Sequence, residues 1–209
     1  MKILLADDHE VVRRGLKQML AEEFGNVAFG EAGTTAEALE RIRQEPWDLI
    51  VLDINMPGRS GLEVLAELSV RRIKSRVLVL SMAPEEEYAV RAFKKGAAGY
   101  LTKQTVATEL VVAVKKILAG GRYVTPWLAE KLASGLGSPA AVEPHDQLSD
   151  RELQVLRMIA TGMSVKDIAD ELSLSDKTVF TYRDRLREKL GLKGDVELAR
   201  YALRHRLVE

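Results

Sequence analysis

VLDINMPG, at residues 51–58, is the stretch that decides the fold, because an apolar run ends in one acid, Asp53, and then turns through Pro and Gly. This pattern predicts a buried strand that delivers a carboxylate into a loop. ILLADD, at residues 3–8, repeats the pattern and ends in Asp7 and Asp8. Ligands of open α/β sheets bind outside the carboxyl ends of the strands. We therefore expect the acids of both strands to converge on one ion or phosphoryl group.

The same arrangement occurs twice more, where VLVL at residues 77–80 runs into Ser81 and GYLT at residues 99–102 runs into Lys103. Four strand ends thus offer carboxylates, a hydroxyl and an ammonium group. Such groups can hold a divalent cation through oxygen atoms, carry a phosphoryl group on one carboxylate and neutralise its other oxygens. An acid after a single strand is common loop chemistry. The ordered set is what indicates a functional site.

Short apolar runs alternate with amphipathic segments through the first part of the chain. The expected strands lie near residues 3 and 27 and at 49–53, 77–80 and 99–101, and the expected helices at 11–24, 35–44, 62–71, 85–95 and 106–118. This alternation predicts an α/β fold with a five-stranded, parallel, doubly wound sheet, right-handed crossovers and helices on both faces.

The remainder of the chain has a different pattern. A short helix at 126–134 leads into GLGSPAAVEP, residues 135–144, whose composition is that of a linker. Beyond it the periodicity predicts an all-α four-helix domain, with helices at 151–161, 164–172, 175–190 and 195–206. The expected helix starts are a Ser149–Glu152 capping box, Ser164, Ser175 and Asp195, and the expected stops are Gly162 and Gly191.

Composition restricts the possible classes of protein. The 209 residues suit two small domains better than one large one, and 31 Lys and Arg balance 31 Asp and Glu, so that any basic surface must be local. The absence of cysteine excludes disulfides and cysteine-based metal or redox sites. No apolar run approaches the roughly 18 residues of a membrane span, and the N-terminus does not resemble a signal peptide. We expect a soluble, cytoplasmic protein with no membrane partner.

Two short helices joined through LSLS, residues 172–175, predict a helix-turn-helix, with 165–172 as the scaffold helix and 176–189 as the helix offered to the major groove. On the second helix, one apolar stripe is expected to pack inward: Val179, Tyr182, Leu186 and Leu190. The residues expected to face away are Lys177, Phe180, Thr181, Asp184 and Glu188. The cations clustered on this helix could contact DNA phosphates. Because acids are interleaved with them, the pattern fits an ordinary solvated helix face equally well.

The first part of the chain, to about residue 120, resembles the receiver domain of two-component response regulators in LADDH at 5–9, DINMPG at 53–58, LSM at 80–82 and GAAGYLTK at 96–103. The resemblance implies a flavodoxin-like fold in which Asp53 is the phosphoacceptor. It also implies that Asp7, Asp8, Asp53 and the backbone carbonyl of Asn55 bind Mg²⁺ or Mn²⁺. Ser81 and Tyr100 are then the switch residues, and Lys103 is the phosphate-binding cation.

The last part resembles the LuxR-type helix-turn-helix in LSDRELQVL at 148–156, IADELSLSDKTV at 168–179 and LGLK at 190–193. A receiver domain followed by a LuxR-type domain is the arrangement of the NarL/FixJ group of response regulators. The resemblance implies a receiver domain at 1–120, a linker with a short helix at 121–145 and a DNA-binding domain at 146–209. The residues implied to contact DNA are Lys177, Thr178, Phe180, Thr181, Tyr182, Asp184, Arg185 and Lys189.

The recognition helix also departs from the family. Phe180 and Tyr182 stand where many members have Lys and His, and Asp184 stands where a relative can use a base-reading Lys. Phe180 could meet a thymine methyl and Asp184 could accept from cytosine. The DNA sequence that is read cannot be transferred from any relative.

The implied function is a response regulator of a two-component system, in which a partner sensor histidine kinase phosphorylates Asp53 and thereby controls DNA binding and transcription. The implied chemistry is Mg²⁺-dependent self-phosphotransfer and dephosphorylation only, so we do not expect an enzyme. The implied partners are the kinase, double-stranded DNA, RNA polymerase and a second copy of the chain. A dimer seam could form on the final helix through Val196, Ala199, Leu203 and Leu207, although these residues could instead pack on their own domain.

Two other classes fit parts of the pattern. An aspartate-nucleophile phosphatase would need a general acid two residues after the nucleophile, where this chain has Asn55. A flavodoxin-like binding protein would need a phosphate loop after the first strand, where Asp7 and Asp8 would repel a phosphate. His9, His145 and His205 are far apart in sequence, so we do not expect a histidine metal site. Trp47 and Trp127 are expected to be packing residues.

Overall fold

The computed structural model describes residues 1–57, 59–134, 144–205 and 207–208. The chain divides into two compact units, Met1–Ser138 and Pro139–Glu209. Residues 135–143, most of the predicted linker sequence, lie outside the described residues.

The first unit is the predicted α/β sheet. Its strands are β1 (Lys2–Ala6), β2 (Ala28–Ala32), β3 (Leu49–Asp53), β4 (Arg76–Ser81) and β5 (Gly99–Thr102). Its helices are α1 (Glu10–Phe24), α2 (Thr35–Gln44), α3 (Gly61–Val70), α4 (Glu85–Lys94), α5 (Val106–Leu118) and α6 (Pro126–Ser134). The strands pair in parallel in the order β2-β1-β3-β4-β5, which confirms the doubly wound fold. Their carboxyl ends therefore share one edge of the sheet.

The core of this unit explains why the short apolar runs form strands. All five residues of β3 are buried, and the sheet is covered on both faces, so a near-continuous apolar run is the pattern that such a strand needs. Leu5 and Val51 pack with Leu110 and Val114 of α5 in one apolar cluster. Burial of a Leu, Ile or Val side chain contributes about 1.5–3 kcal/mol, so the core holds the strand ends in a fixed register.

The segment after α5 packs on the first unit. The Tyr123 N–H donates to the carbonyl of Ala98 at 2.8 Å, and Tyr123 forms a parallel bridge with Gly99. Leu128 of α6 is only 1% exposed, and α6 packs against α4. This part of the predicted linker segment is therefore structured from Tyr123 to the end of α6.

The described residues of the second unit form four helices after a 3-10 turn at Pro144–Gln147: α7 (Asp150–Ala160), α8 (Val165–Glu171), α9 (Asp176–Leu190) and α10 (Asp195–Arg204). The predicted Ser149–Glu152 capping box is present. Ser164 and Ser175 cap α8 and α9 as predicted. Gly162 and Gly191 follow α7 and α9 with φ of 84° and 66°, a left-handed conformation that glycine adopts without strain.

One predicted cap is wrong. The N-cap of α10 is Gly194, which offers no side chain, and Asp195 is the first residue of the helix. The Asp195 carboxylate instead accepts from the guanidinium groups of Arg183 and Arg187 on α9. These two arginines hold the carboxylate against α9 and away from the first amides of α10.

Among the described residues, no helix is long and apolar enough to span a bilayer.

Candidate functional site

Two buried carboxylates meet one ammonium group at the carboxyl ends of β1 and β3. Asp7 is 1% exposed and Asp53 is 2% exposed. Lys103, just beyond β5, places its Nζ 2.6 Å from Oδ2 of Asp7 and 2.8 Å from Oδ2 of Asp53. Register brings these side chains together, because β1 pairs with β3 and β3 pairs with β4, which pairs with β5. Burial strengthens these charge interactions, since little water screens them.

The environment shifts the pKa of both Asp53 and Lys103. Burial raises the pKa of Asp53, and the charge of Asp7 adds to this effect while Lys103 opposes it. Burial alone would lower the pKa of Lys103, but the charge of Asp53 and the hydrogen bonds to Asp53 and Asp7 raise it overall. Lys103 therefore remains a cation that can offset added negative charge at Asp53.

Asp8 and His9 complete a group of possible cation ligands with Asp7 and Asp53. One ligand atom from each of these four residues lies within 4.8 Å of the others. Carboxylate oxygens suit a hard divalent cation such as Mg²⁺, so the acids fit the predicted metal. His9 lies in this group although no histidine ligand was predicted, and its Nδ1 lies 2.7 Å from Oδ1 of Asp8. Asn55 lies two positions after Asp53, and its N–H donates to Oδ1 of Asp53 at 3.1 Å.

Ser81 and Tyr100 lie on the neighbouring strands. Ser81 is fully buried at the end of β4, and its Oγ accepts the N–H of Ala83 at 3.0 Å. Tyr100 is 3% exposed, and its hydroxyl donates to the carbonyl of Ala83 at 3.0 Å and lies 3.4 Å from that of Pro84. Both predicted switch residues therefore contact the connection between β4 and α4.

Several residues that shape the site were not predicted. Arg13 donates to the carbonyl of Asp7 at 2.7 Å and holds the end of β1. Thr35 donates to the carbonyl of Pro57 at 3.2 Å and accepts from the N–H of Arg59 at 3.1 Å, so it fixes the loop after Asp53. These contacts join residues at least six positions apart in the sequence, so no local sequence pattern predicts them.

Gly61, the first residue of α3, touches the backbone of β3. A Cβ at this position would lie 2.2 Å from the carbonyl oxygen of Asp53, and the Gly61 N–H donates to the carbonyl of Ile54 at 3.0 Å. Only glycine allows the helix to approach so closely. The backbone of Asp53 is therefore clamped by the first turn of α3.

In the second unit, α8 and α9 form the predicted helix-turn-helix, and α9 presents the predicted face. Val179 and Leu186 are buried, and Tyr182 and Leu190 are partly buried. The residues that face solvent include Lys177, Phe180, Thr181, Asp184, Arg185, Glu188 and Lys189, while Thr178 is half-buried. Phe180 is 50% exposed, so its ring lies on this solvent-facing side of α9.

Not all cations of α9 are equally available. Arg183 and Arg187 pair with Asp195, and Arg183 also lies 5.3 Å from the ring centroid of Phe180. Lys189 pairs with the buried Glu152 at 2.7 Å. Lys177 and Arg185 make no side-chain ion pair or hydrogen bond with any of the described residues. These two side chains are the exposed cations that remain open to a polyanion.

Comparison with known families bears directly on these two units. The family model for the response regulator receiver domain matches residues 3–115. The chain belongs to the response regulators. The family model for bacterial regulatory proteins of the luxR family matches residues 146–202, so this response regulator is a member of the NarL/FixJ group.

Known response regulators resemble the chain over its whole length. The response regulator GacA of Pseudomonas aeruginosa is 40% identical over 210 residues, which cover 100% of this chain and 98% of GacA. UvrY of Escherichia coli strain K12 is 36% identical, with 99% and 95% covered. The structure of RcsB from Salmonella enterica serovar Typhimurium, bound to promoter rprA in the presence of phosphomimetic BeF₃⁻, is 26% identical with a TM-score of 0.61, and 96% of this chain and 98% of that chain are covered.

These relationships give the general function of this response regulator. It acts in two-component regulation of transcription through DNA binding. Its receiver domain implies a sensor kinase as partner, and its family is one of regulators rather than enzymes. The phosphatase and the flavodoxin-like binding protein, both compatible with parts of the sequence, are set aside in favour of this family.

Proposed function

We propose that Asp53 is the phosphoacceptor and that a sensor histidine kinase donates the phosphoryl group to it. The observation that carries this proposal is the position of Lys103, whose Nζ lies between the buried carboxylates of Asp53 and Asp7. A carboxylate that attacks a phosphoryl group gains negative charge around it, and a cation fixed at this distance offsets that charge without moving.

The acids Asp7, Asp8 and Asp53, with the backbone carbonyl of Asn55, are the proposed ligands of Mg²⁺ or Mn²⁺. A bound divalent cation supplies positive charge that reduces the repulsion between a carboxylate and an incoming phosphate. Lys103 would neutralise negative charge on the phosphoryl oxygens, and the N–H of Asn55 orients the Asp53 carboxylate. We propose that this set of residues supports self-phosphotransfer and dephosphorylation as the only chemistry of the protein.

Ser81 and Tyr100 are the proposed switch residues. The Ser81 hydroxyl is close to the end of β3, because Leu80, its neighbour in β4, pairs with Asp53. A hydroxyl that turns to a phosphoryl oxygen gives up its bond with the Ala83 N–H. Tyr100, which contacts the Ala83 carbonyl, is placed to follow that change.

The helix α9 is the proposed DNA-reading helix. Lys177 and Arg185 are the proposed phosphate contacts, because both are exposed and neither pairs with another described side chain. Thr178, Phe180, Thr181, Tyr182 and Asp184 are the proposed residues at the base edges, with Phe180 toward a thymine methyl and Asp184 toward cytosine. Lys189 remains a proposed part of this surface, although Glu152 already holds its ammonium group.

We propose that two copies act together on DNA, because one small helix-turn-helix makes too few base contacts for high specificity. On α10, Val196 is 73% exposed and Leu203 is 52% exposed, while Leu198 and Ala202 provide the packing on the domain itself. Val196 and Leu203 of the predicted seam therefore expose apolar surface to a second copy. Ala199 and Leu207 are only partly exposed, and Leu207 lies beyond the end of α10. A protein that binds promoter DNA in this way would act in the cytoplasm and contact RNA polymerase.

The test is phosphorylation of the full chain by a small phosphodonor such as acetyl phosphate with Mg²⁺, followed by intact mass measurement. The wild type should gain one phosphoryl group, and Asp53→Asn should gain none. Asp48→Asn is the matched control, since Asp48 is an exposed acid just before the opposite end of the same strand. Persistent stoichiometric labelling of Asp53→Asn would overturn the assignment.

A further inference from the structure

The connection between β4 and α4 joins the proposed phosphorylation site to a second structural element. It begins at Ser81, whose Oγ accepts the N–H of Ala83 at 3.0 Å. It ends at Glu85, the first residue of α4. Only three residues, Met82, Ala83 and Pro84, lie between Ser81 and Glu85, so the connection is short.

At its far end this connection holds α6. The Glu85 carboxylate accepts the hydroxyl of Thr125, the residue just before α6. The same Thr125 Oγ accepts the N–H of Leu128 at 3.2 Å and so caps the first turn of α6. Leu128 is 1% exposed, and α6 packs against α4. One hydroxyl group therefore both caps α6 and attaches it to α4.

Tyr100 fixes the middle of the connection. Its hydroxyl donates to the carbonyl of Ala83 at 3.0 Å and lies 3.4 Å from the carbonyl of Pro84. The peptide units between Ser81 and Glu85 are thus held from one side by the switch tyrosine. Packed elements of this kind move between discrete arrangements rather than deforming smoothly.

A separate anchor holds the segment that precedes α6. The Tyr123 hydroxyl donates to Glu109 of α5 at 2.8 Å, and the Tyr123 N–H donates to the carbonyl of Ala98. Burial and the bond to Glu109 raise the pKa of Tyr123 to about 12, so this phenol keeps its proton under ordinary conditions. Neither of these two hydrogen bonds involves Glu85, so the segment before α6 has an attachment to the sheet and to α5 that is separate from the Thr125–Glu85 bond.

We propose that Thr125 and Glu85 are positioning residues that make α6 the output element of the receiver. While Asp53 is unmodified, they hold α6 against α4. Capture of the Ser81 hydroxyl by a phosphoryl oxygen frees the Ala83 N–H, shifts the 81–85 connection and releases α6. This inference rests on the proposed role of Asp53. The chain continues from α6 to the second unit. Release of α6 would therefore move the point at which the segment between the two units begins.

Thermodynamic linkage gives this inference a reciprocal consequence. If the phosphoryl-like state favours released α6 by some factor, then a mutation that shifts α6 fully to the released state must strengthen binding of the phosphoryl mimic by that same factor, and a partial shift must strengthen it by less. A residue that only stabilises α6 would show no such effect. The two roles can therefore be separated by measuring α6 and the phosphorylation site in the same variants.

The experiment uses the full chain, with BeF₃⁻ and Mg²⁺ as the probe, hydrogen–deuterium exchange of α6, and calorimetric titration of BeF₃⁻. In the wild type, BeF₃⁻ should speed α6 exchange about fivefold, the population change expected from one hydrogen bond of ordinary net strength. Thr125→Ala should speed exchange without BeF₃⁻ and tighten BeF₃⁻ binding, by at most the factor that links BeF₃⁻ to α6 release. Thr125→Ser should restore both values.

Two further variants sharpen the comparison. Glu85→Ala removes the attachment but leaves the Thr125 cap of α6, and it should tighten BeF₃⁻ binding as Thr125→Ala does. Thr108→Ala is the matched control, because the Thr108 hydroxyl donates only locally to the carbonyl of Thr105 at 3.0 Å. It should change neither measurement.

The inference is overturned if BeF₃⁻ binds but leaves α6 exchange unchanged, or if Thr125→Ala and Glu85→Ala leave BeF₃⁻ affinity at the wild-type value. Failure of the proposed function would look different. In that case BeF₃⁻ would not bind the wild type at all, or would bind Asp53→Asn equally well, and both proposals would fall together.

Discussion

Glu152, at the first turn of α7, accepts from the ammonium group of Lys189, near the end of α9, at 2.7 Å. The Glu152 side chain is 3% exposed and also accepts the Ser149 N–H at 2.8 Å. Burial opposes ionisation of this carboxyl, but the bonds from Lys189 and Ser149 outweigh it and lower its pKa. The pair links the start of α7 to α9, the helix proposed to read DNA.

The first prediction concerns this pair and pH. A carboxyl whose pKa is lowered by folding adds stability above its ordinary pKa, and that stability is lost as the pH falls through the lowered value. Glu152→Gln should therefore reduce the free energy of unfolding by about 1–2 kcal/mol at neutral pH, and the difference should shrink below about pH 4. Urea unfolding across pH checks this. Glu188→Gln, an exposed acid beside Lys189, is the control. A difference that stays constant to acid pH would contradict the prediction.

The second prediction separates available cations from engaged ones. Lys177→Ala and Arg185→Ala should each weaken DNA binding on every sequence and reduce the slope of log affinity against log salt by about one. Lys189→Ala should reduce stability more than it changes this slope, because Glu152 holds its ammonium group. Binding isotherms at several salt concentrations measure both. Equal slopes for the wild type and both exposed-cation variants would remove these residues from the interface.

The third prediction compares two glycines in helices of the first unit. Gly15, in α1, is exposed, and a Cβ there would meet nothing within 4 Å. Gly15→Ala should raise the free energy of unfolding by about 0.5–1 kcal/mol, because alanine has the higher helix propensity. Gly61→Ala should lower it by about 1–3 kcal/mol, since the new Cβ would overlap the Asp53 carbonyl. Chemical denaturation of both variants checks the opposite signs, and two changes of the same sign would contradict the geometry.

The fourth prediction concerns assembly. Leu203→Glu, at an exposed apolar residue of α10, should weaken binding to a palindromic site by at least about tenfold, since it places a charge in the proposed seam between two copies. Val70→Glu on α3 is the control, because Val70 is equally apolar and 83% exposed. Light scattering with and without BeF₃⁻ and DNA gives the particle size. A chain that stays monomeric in every state and still binds palindromic DNA tightly would rule out this assembly.

Much of the fold could be predicted because its signals are local. Apolar runs that end in acids mark β1 and β3, and serine caps mark α7, α8 and α9 within one residue. The prediction that Asp195 is the N-cap of α10 was wrong because it also used a local rule, that acids favour N-cap positions. The arginines that bind its carboxylate lie 8 and 12 positions away in the sequence. The Lys189–Glu152 and Thr125–Glu85 contacts span 37 and 40 positions, so only the folded chain brings them together.

The contact of Gly61 with the Asp53 carbonyl gives the proposed phosphorylation site two unlike walls. On the side of α3, backbone lies directly against backbone, and a shift there would have to move a whole helix. On the side of β4, single hydrogen bonds from Ala83 and Tyr100 hold a short connection. An added phosphoryl group therefore meets a stiff boundary and a soft one. We therefore expect a displacement that starts at Asp53 to move the connection between β4 and α4 and to leave α3 in place.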